Sequence, residues 1–161
     1  MNIKSRLSNF ATITGMVLSL LGATAIAAPA NNDHDHGDGV AELRLDNGSK
    51  WAIDAPLSRA MTNIRNAVDK DYEAIHSNQL AGEKYAALAT KVTNEVAYMV
   101  ENCNLEPEAD AQLHLIIVDL MEGSTAMESK ANAQDGAVKV IGAIGKYITY
   151  FNDPDFKPIK H

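Results

Sequence analysis

The chain has 161 residues, of which 46% are apolar and 22% charged, with 14 Lys and Arg against 21 Asp and Glu. This length suits one globular domain, and the acidic balance argues against nucleic-acid binding, because phosphate recognition needs clustered Lys and Arg. The single cysteine excludes an internal disulfide framework, a Cys-x-x-Cys redox pair and covalent attachment of a c-type haem.

Residues 1–27 have the pattern of a cleaved signal peptide. Lys4 and Arg6 precede an apolar stretch that is followed by Ala25-Ile26-Ala27, a typical cleavage sequence. Polar residues and glycines interrupt the stretch, so it falls short of the roughly 20 apolar residues of a stable membrane anchor. We expect a mature chain that begins at Ala28, has 12 basic residues against 21 acidic ones, a net charge of −9, and is periplasmic or secreted.

Residues 28–40 form a His/Asp-rich tail without an apolar period, and we predict that it is disordered. His34 and His36 alternate with aspartates in the sequence Asp33-His34-Asp35-His36. Imidazoles and carboxylates on a flexible segment can bind zinc, copper or nickel loosely, at a cost in backbone entropy. The tail is therefore either a low-affinity collector of metal ions or a solvated linker.

Residues 41–53 predict a short β-hairpin. Two short segments, 41–45 and 50–53, flank Asp46-Asn47-Gly48-Ser49, in which Asn-Gly favours the positive φ angles of a type I′ turn. Two strands this short need a larger structure to pack on. Trp51, the only tryptophan, is the expected contact.

From residue 54 onward the apolar period is helical, and residues 54–161 predict a four-helix bundle. Asp54 is the expected N-cap of the first helix. Four amphipathic helices joined by short connections predict an all-α fold, an antiparallel up-down-up-down bundle preceded by the hairpin. The predicted helices cover about 55–77, roughly 80–103, a segment that begins at Pro107, and about 131–152.

Gly142 and Gly145 lie within the last predicted helix, where each costs about 1 kcal/mol relative to alanine. Close approach of another helix, or room for a bound group, would offset that cost. The alternative is a helix that is simply not optimised for stability.

The motifs that announce common enzymes are absent from the sequence, including a nucleophile elbow, a phosphate-binding loop, an HExxH pair and the Glu-x-x-His pairs of di-iron bundles. We therefore do not expect an enzyme. The remaining candidates for chemistry are five histidines, one cysteine and the four methionines of the mature chain. Thiolate, thioether and imidazole ligands favour copper(I) or zinc.

Hairpin geometry places three of these side chains at one level of the predicted bundle. If the connections turn near residues 79 and 105, Met61, Met99 and His114 lie within about one helical turn of each other along the axis. These three residues form the candidate metal site, with Cys103 about one further turn away.

Each of these side chains also has a structural interpretation. The methionines fit ordinary core packing, and Cys103 fits an inert buried thiol. His114 lies at the flank of its apolar stripe, so it can turn inward toward the methionines or outward toward Asp110.

Two resemblances bear on function. The string Asn102-Cys103-Asn104-Leu105-Glu106-Pro107-Glu108-Ala109-Asp110, with Leu113-His114, resembles small exported DnrO-like bundle proteins that have a His-rich segment after the leader. This resemblance covers most of the mature chain and implies no established activity. In outline the chain also resembles exported b-type four-helix cytochromes, but its last helix contains no histidine, so only His114 could join Met61 as an axial ligand.

Three functional hypotheses follow. The first is an exported metal-binding protein, with copper preferred and zinc possible, that buffers or delivers the ion through His34, His36 and the bundle site. The second is an interaction or sensor module in which the bundle and Trp51 contact a protein partner without metal. The third is a b-type haem electron carrier.

Overall fold

The computed structural model describes residues 42–160. The predicted signal peptide and the His/Asp-rich tail, including His34 and His36, lie outside the described residues. Within them the fold is all-helical, with four helices that pack against one another. The helices are α1 (Ala55–His76), α2 (Gly82–Asn102), α3 (Pro107–Glu128) and α4 (Ala133–Tyr150), each of which begins within a few residues of its predicted start.

Local sequence accounts for the starts of two helices. Asp54 is the N-cap of α1, as predicted, and its Oδ1 accepts a hydrogen bond of 2.9 Å from the Leu57 N–H. Pro107 begins α3, where its missing N–H removes no helical hydrogen bond. Glu108 and Asp110 lie in the first turn of α3, next to the positive end of the helix dipole.

The apolar stripes of the four helices meet in one core. α3 contacts both α2 and α4, and α1 contacts the same two helices. Burial of each large apolar side chain stabilises the fold by about 1.5–3 kcal/mol. The largest fully buried side chains are Tyr147, Phe151, Leu57, Met61, Ile64, Ile75, Met99, Leu113, Ile116, Leu120, Met127 and Ile144.

Two glycines set the distance between α3 and α4. A Cβ at Gly123 would lie 2.7 Å from the Gly136 carbonyl oxygen, and a Cβ at Gly136 would lie 2.5 Å from the Gly123 carbonyl oxygen. Gly142 and Gly145 instead face open space, with no atom beyond their own helix backbone and chain neighbours within 4 Å of the added Cβ. Close approach of another helix, one explanation offered for Gly142 and Gly145, is therefore found at Gly123 and Gly136 instead.

The predicted turn is present, but no strand flanks it within residues 42–160. Asn47 and Gly48 have φ angles of 48° and 90°, and Asp46 and Ser49 exchange two backbone hydrogen bonds of 2.8 Å. Trp51 bonds instead to the end of α4, because its N–H reaches the Tyr150 carbonyl at 2.8 Å, one of the last carbonyls that a helix leaves unpaired. The second half of the predicted hairpin is thereby attached to the helices.

The chain after α4 also packs against the helices. Tyr147 donates a hydrogen bond of 2.8 Å from its hydroxyl to Asp153 Oδ2 and meets Phe156 edge to face at 5.1 Å. Ile159 is buried, and the Lys160 N–H donates to Asp69 Oδ1 of α1 at 2.8 Å. None of the described helices combines the length and apolar character needed to cross a membrane.

Candidate functional site

Met61 and Met99 lie in the core. Met61 on α1 is fully buried and Met99 on α2 is 1% exposed, and both belong to the same cluster of apolar side chains. Their surroundings match ordinary core packing, in which the flexible thioether fills irregular space between helices.

The His114 side chain is on the surface and does not join these thioethers. It is 63% exposed, and its Nδ1 lies 2.9 Å from the Asp110 carbonyl oxygen and 3.4 Å from Asp110 Oδ2. Of the two predicted orientations, the outward one is observed, because the neighbouring Leu113 takes the buried position on α3. The predicted interior layer of Met61, Met99 and His114 is therefore not assembled.

Cys103 follows the last residue of α2 and is half-buried beside the start of α1. Burial raises the pKa of its thiol to about 12, helped by the charge of Asp54, a hydrogen bond to that carboxylate and the charge of Asp110. The thiolate is the metal-binding form of cysteine. Near pH 7 Cys103 is thus an S–H group, which must lose its proton to bind a metal ion.

Within residues 42–160, these positions do not bring the predicted metal or haem ligands together. Among residues 42–160, no three His, Cys, Asp or Glu side chains form a group that could hold a metal ion. Met61 is buried while His114 is exposed, so the pair does not face one iron atom from two sides.

An open cleft lies where the turn of residues 46–49 meets the connection between α2 and α3. It has a volume of about 820 Å³, and we call it the Trp51 cleft. Asp54 stands between its two walls, since Oδ1 caps α1 and Oδ2 accepts a hydrogen bond of 2.7 Å from the Asn104 N–H. The lining residues are Arg44, Leu45, Asp46, Asn47, Trp51, Ala52, Ile53, Asp54, Asn104, Leu105, Glu106, Glu108 and Ala109.

Negative charge dominates the Trp51 cleft. Apart from Asp54, three carboxylates line it, those of Asp46, Glu106 and Glu108, against the single cation Arg44. The Trp51 indole is fixed in the wall by a hydrogen bond of 2.6 Å from Nε1 to the Arg44 carbonyl. Carboxylates attract cations by charge, and an indole face attracts them through its quadrupole. The cleft therefore has the chemistry of a cation-binding surface.

Sequence reasoning identified Trp51 but did not identify the carboxylates as a group. Asp46 is about 60 positions away from Glu106 and Glu108 along the chain, and only the folded structure brings them to one cleft. One feature of the sequence could have pointed to them. All three carboxylates lie in or beside predicted connections, where side chains are exposed.

The chain matches no family model, no curated protein and no solved structure. The described residues define a four-helix protein with open clefts at the connections between its helices.

Proposed function

We propose that this protein is an exported interaction module that holds a cationic segment of a partner protein in the Trp51 cleft. The observation that carries the proposal is the meeting of Asp46, Glu106 and Glu108 with the Trp51 indole in one cleft of about 820 Å³. A Lys or Arg side chain fits both features, because it carries a charge for the carboxylates and an apolar stem for the ring.

The strength of the complex follows from the exposure of the cleft. An exposed ion pair contributes about 0.2–1 kcal/mol, and a cation over an exposed aromatic ring about 0.5–1 kcal/mol. Three such pairs and one ring contact therefore give a weak complex. Salt screens exposed charges beyond a Debye length of about 8 Å at physiological ionic strength, so the affinity falls as salt is added.

The proposal includes the antiparallel up-down-up-down order of the helices, which puts the α2–α3 connection next to the start of α1. Two ion pairs support it, since Glu122 contacts Lys139 while Asp119 contacts Lys146. From the first pair to the second, the residue number falls on α3, from 122 to 119, and rises on α4, from 139 to 146. This is the pattern of antiparallel helices.

Isothermal titration calorimetry with a tetralysine peptide, blocked at both termini, tests the proposal. Tetraglutamate is the peptide of opposite charge. We expect tetralysine alone to bind, and the Glu106→Gln/Glu108→Gln variant to weaken binding at least fivefold. The matched control is Glu73→Gln/Glu128→Gln, which removes the same charge from exposed positions outside the cleft. Equal weakening by the two variants would show that only net charge matters and would refute the site.

A second candidate function, metal capture for buffering or delivery, is favoured by the alternation of His34 and His36 with aspartates. In this version copper or zinc binds to the tail and needs none of Met61, Met99, Cys103 and His114. Competition titrations of mature protein with copper(I) and with zinc test it. We expect His34→Ala/His36→Ala to remove most of the binding and His114→Ala to leave it unchanged, and the reverse order would contradict the proposal.

A further inference from the structure

A second cleft, of about 600 Å³, lies between the α1–α2 connection and the α3–α4 connection. We call it the Tyr85 cleft. Its apolar wall includes Leu80, Met127 and Ala131, and it also contains the first residues of both α2 and α4. The Trp51 cleft shares no residue with it.

Tyr85 lines this cleft and carries an unpaired polar group. The residue is only 4% exposed, and its hydroxyl oxygen is buried without a hydrogen-bond partner among residues 42–160. Burial raises the pKa of Tyr85, so the group remains an O–H donor at neutral pH. Nearly all buried polar groups in folded proteins are hydrogen-bonded, so the unpaired hydroxyl of a residue that lines a cleft is a candidate donor to a group bound there.

The two helix starts add further donors. Neither N-cap residue, Ala81 before α2 or Asn132 before α4, makes a side-chain hydrogen bond to its helix. The first N–H groups of an α-helix have no acceptor within the helix. Gly82 and Ala133, the first residues of the two helices, both line the cleft. Three residues that line one cleft thus carry donors without a partner in their own helix, and the complementary ligand group is an acceptor.

The charges around the cleft decide between an anionic and a neutral acceptor. Glu83, Glu128 and Asp135 line it together with one cation, Lys130. Glu83 and Asp135 lie in the first turns of α2 and α4, where their carboxylates already occupy the region in which the helix dipole favours negative charge. A ligand anion is therefore repelled, whereas an uncharged carbonyl is not.

We propose that the Tyr85 cleft binds a small neutral molecule that has an apolar body and a carbonyl acceptor, such as an aromatic amide. The apolar part contacts the wall formed by Leu80 and Met127. The carbonyl oxygen accepts a hydrogen bond from the Tyr85 hydroxyl or from a free N–H at the start of α2 or α4.

Acetanilide is the probe, with benzoate as the anion of similar size and ethylbenzene as the apolar molecule without an acceptor. Each is titrated into ¹⁵N-labelled protein, and amide shifts are followed by NMR. We expect acetanilide at millimolar concentration to shift residues 82–86 and 133–135 and to bind more tightly than either comparison molecule. No shift at these residues, or equal affinity for benzoate or ethylbenzene, would overturn the proposal.

Tyr85→Phe removes the hydroxyl and keeps the ring. We expect it to weaken acetanilide binding about fivefold or more, as for the loss of one hydrogen bond. Its Tm should equal or exceed that of the wild type, because the unliganded protein loses only an unpaired group. The matched control is Tyr98→Phe, whose ring lies under Arg59 outside this cleft and whose change should leave binding unaltered. Unchanged binding in Tyr85→Phe, or a clear fall in its Tm, would show that the hydroxyl serves the fold instead.

Discussion

Asp54 joins two parts of the chain through one carboxylate. It caps α1, accepts the Asn104 N–H and lies against the Cys103 thiol, so the start of α1 and the end of α2 are held together. The Cys103 thiol lies beside this connection, and its pKa is raised by burial and by the charge of Asp54. The reactivity of the Cys103 thiol therefore depends on whether the protein is folded.

We expect Cys103 to react with iodoacetamide at pH 8 at least a hundredfold more slowly in the folded protein than in guanidinium. The thiolate is the reactive form, and the folded pKa of about 12 compares with about 8.5 for a free cysteine. Mass spectrometry of alkylated protein gives both rates. Asp54→Asn keeps an N-cap residue but removes the charge, so it should speed the folded reaction. Similar reaction rates in the folded and unfolded states would disprove the raised pKa of Cys103.

Glu95 is a buried carboxylate held by its neighbours. Burial by itself raises its pKa, but hydrogen bonds from Lys91 and Asn63, with the charges of Lys91 and Arg59, outweigh burial. The pKa of Glu95 is therefore lower in the folded protein than in the unfolded chain. Such a group stabilises the fold at pH values above its unfolded pKa of about 4.3, and this contribution is lost as the pH falls through the folded pKa.

Glu95→Gln should accordingly lower the free energy of unfolding by about 1–2 kcal/mol at pH 7, because the charged hydrogen bonds are weakened. The difference between variant and wild type should shrink steadily below about pH 4. Urea denaturation at several pH values measures it. A difference that stays constant down to pH 3 would mean that the charge of Glu95 is not the source of the effect.

At the level of the elements, the four glycines of α3 and α4 named above divide into two pairs with opposite expected effects. Alanine at Gly123 or Gly136 would force the helix backbones apart, and we expect each substitution to lower the free energy of unfolding by about 1–3 kcal/mol. Alanine at Gly142 or Gly145 meets nothing and should raise it by up to about 1 kcal/mol. Urea denaturation of the four single variants tests both pairs together.

Each pair serves as the control for the other, because all four changes add one methyl group to a helix. If all four variants were stabilised, α3 and α4 would not be in close contact. If all four were destabilised, the outer face of α4 would be covered by something that the described residues do not include.

The sequence predicted the helices better than it predicted the hairpin, for physical reasons. A stripe such as Leu57, Met61 and Ile64 repeats over many residues, so each helix is specified many times over. The strands beside Asn47-Gly48 are too short to be specified in this way, and only the turn itself forms. His114 shows a further limit, since a residue at the edge of a stripe has two orientations and the neighbouring side chains choose between them.

At the level of the whole molecule, the segment after α4 connects two helices, α4 and α1. Phe156 packs against Tyr147 of α4, Ile159 is buried, and Lys160 is bonded to Asp69 of α1. These contacts join residues that lie far apart in the chain. The segment is thus part of the domain and contributes to one cooperative unit.

Truncation after Asn152 should lower the free energy of unfolding by about 3 kcal/mol or more, because it removes the contacts of Phe156 and Ile159 and the bond from Tyr147 to Asp153. Circular dichroism at 222 nm during urea denaturation measures the loss. The control removes only Lys160 and His161, which keeps both apolar side chains and should cost less than about 1 kcal/mol. Equal stability of the two truncations would show that the apolar contacts are not important.

The two clefts mark what sequence reasoning could not predict. Each is built from segments that are distant along the chain, such as Asp46 with Glu108, or Leu80 with Asp135. A periodic pattern predicts which face of a helix is buried, but it does not predict which connections come together. The predicted copper layer failed for a related reason, because equal height along the axis does not determine the direction in which His114 points.

The location of Trp51 has one practical consequence. It is the only indole in the protein, and it lies in the wall of the acidic cleft with its main chain bonded to Tyr150 and Asn152. The intrinsic fluorescence of the protein therefore comes mainly from the surface at which a partner would dock. Binding of a partner there should shift the wavelength of the fluorescence maximum or change its intensity, so no attached dye is needed.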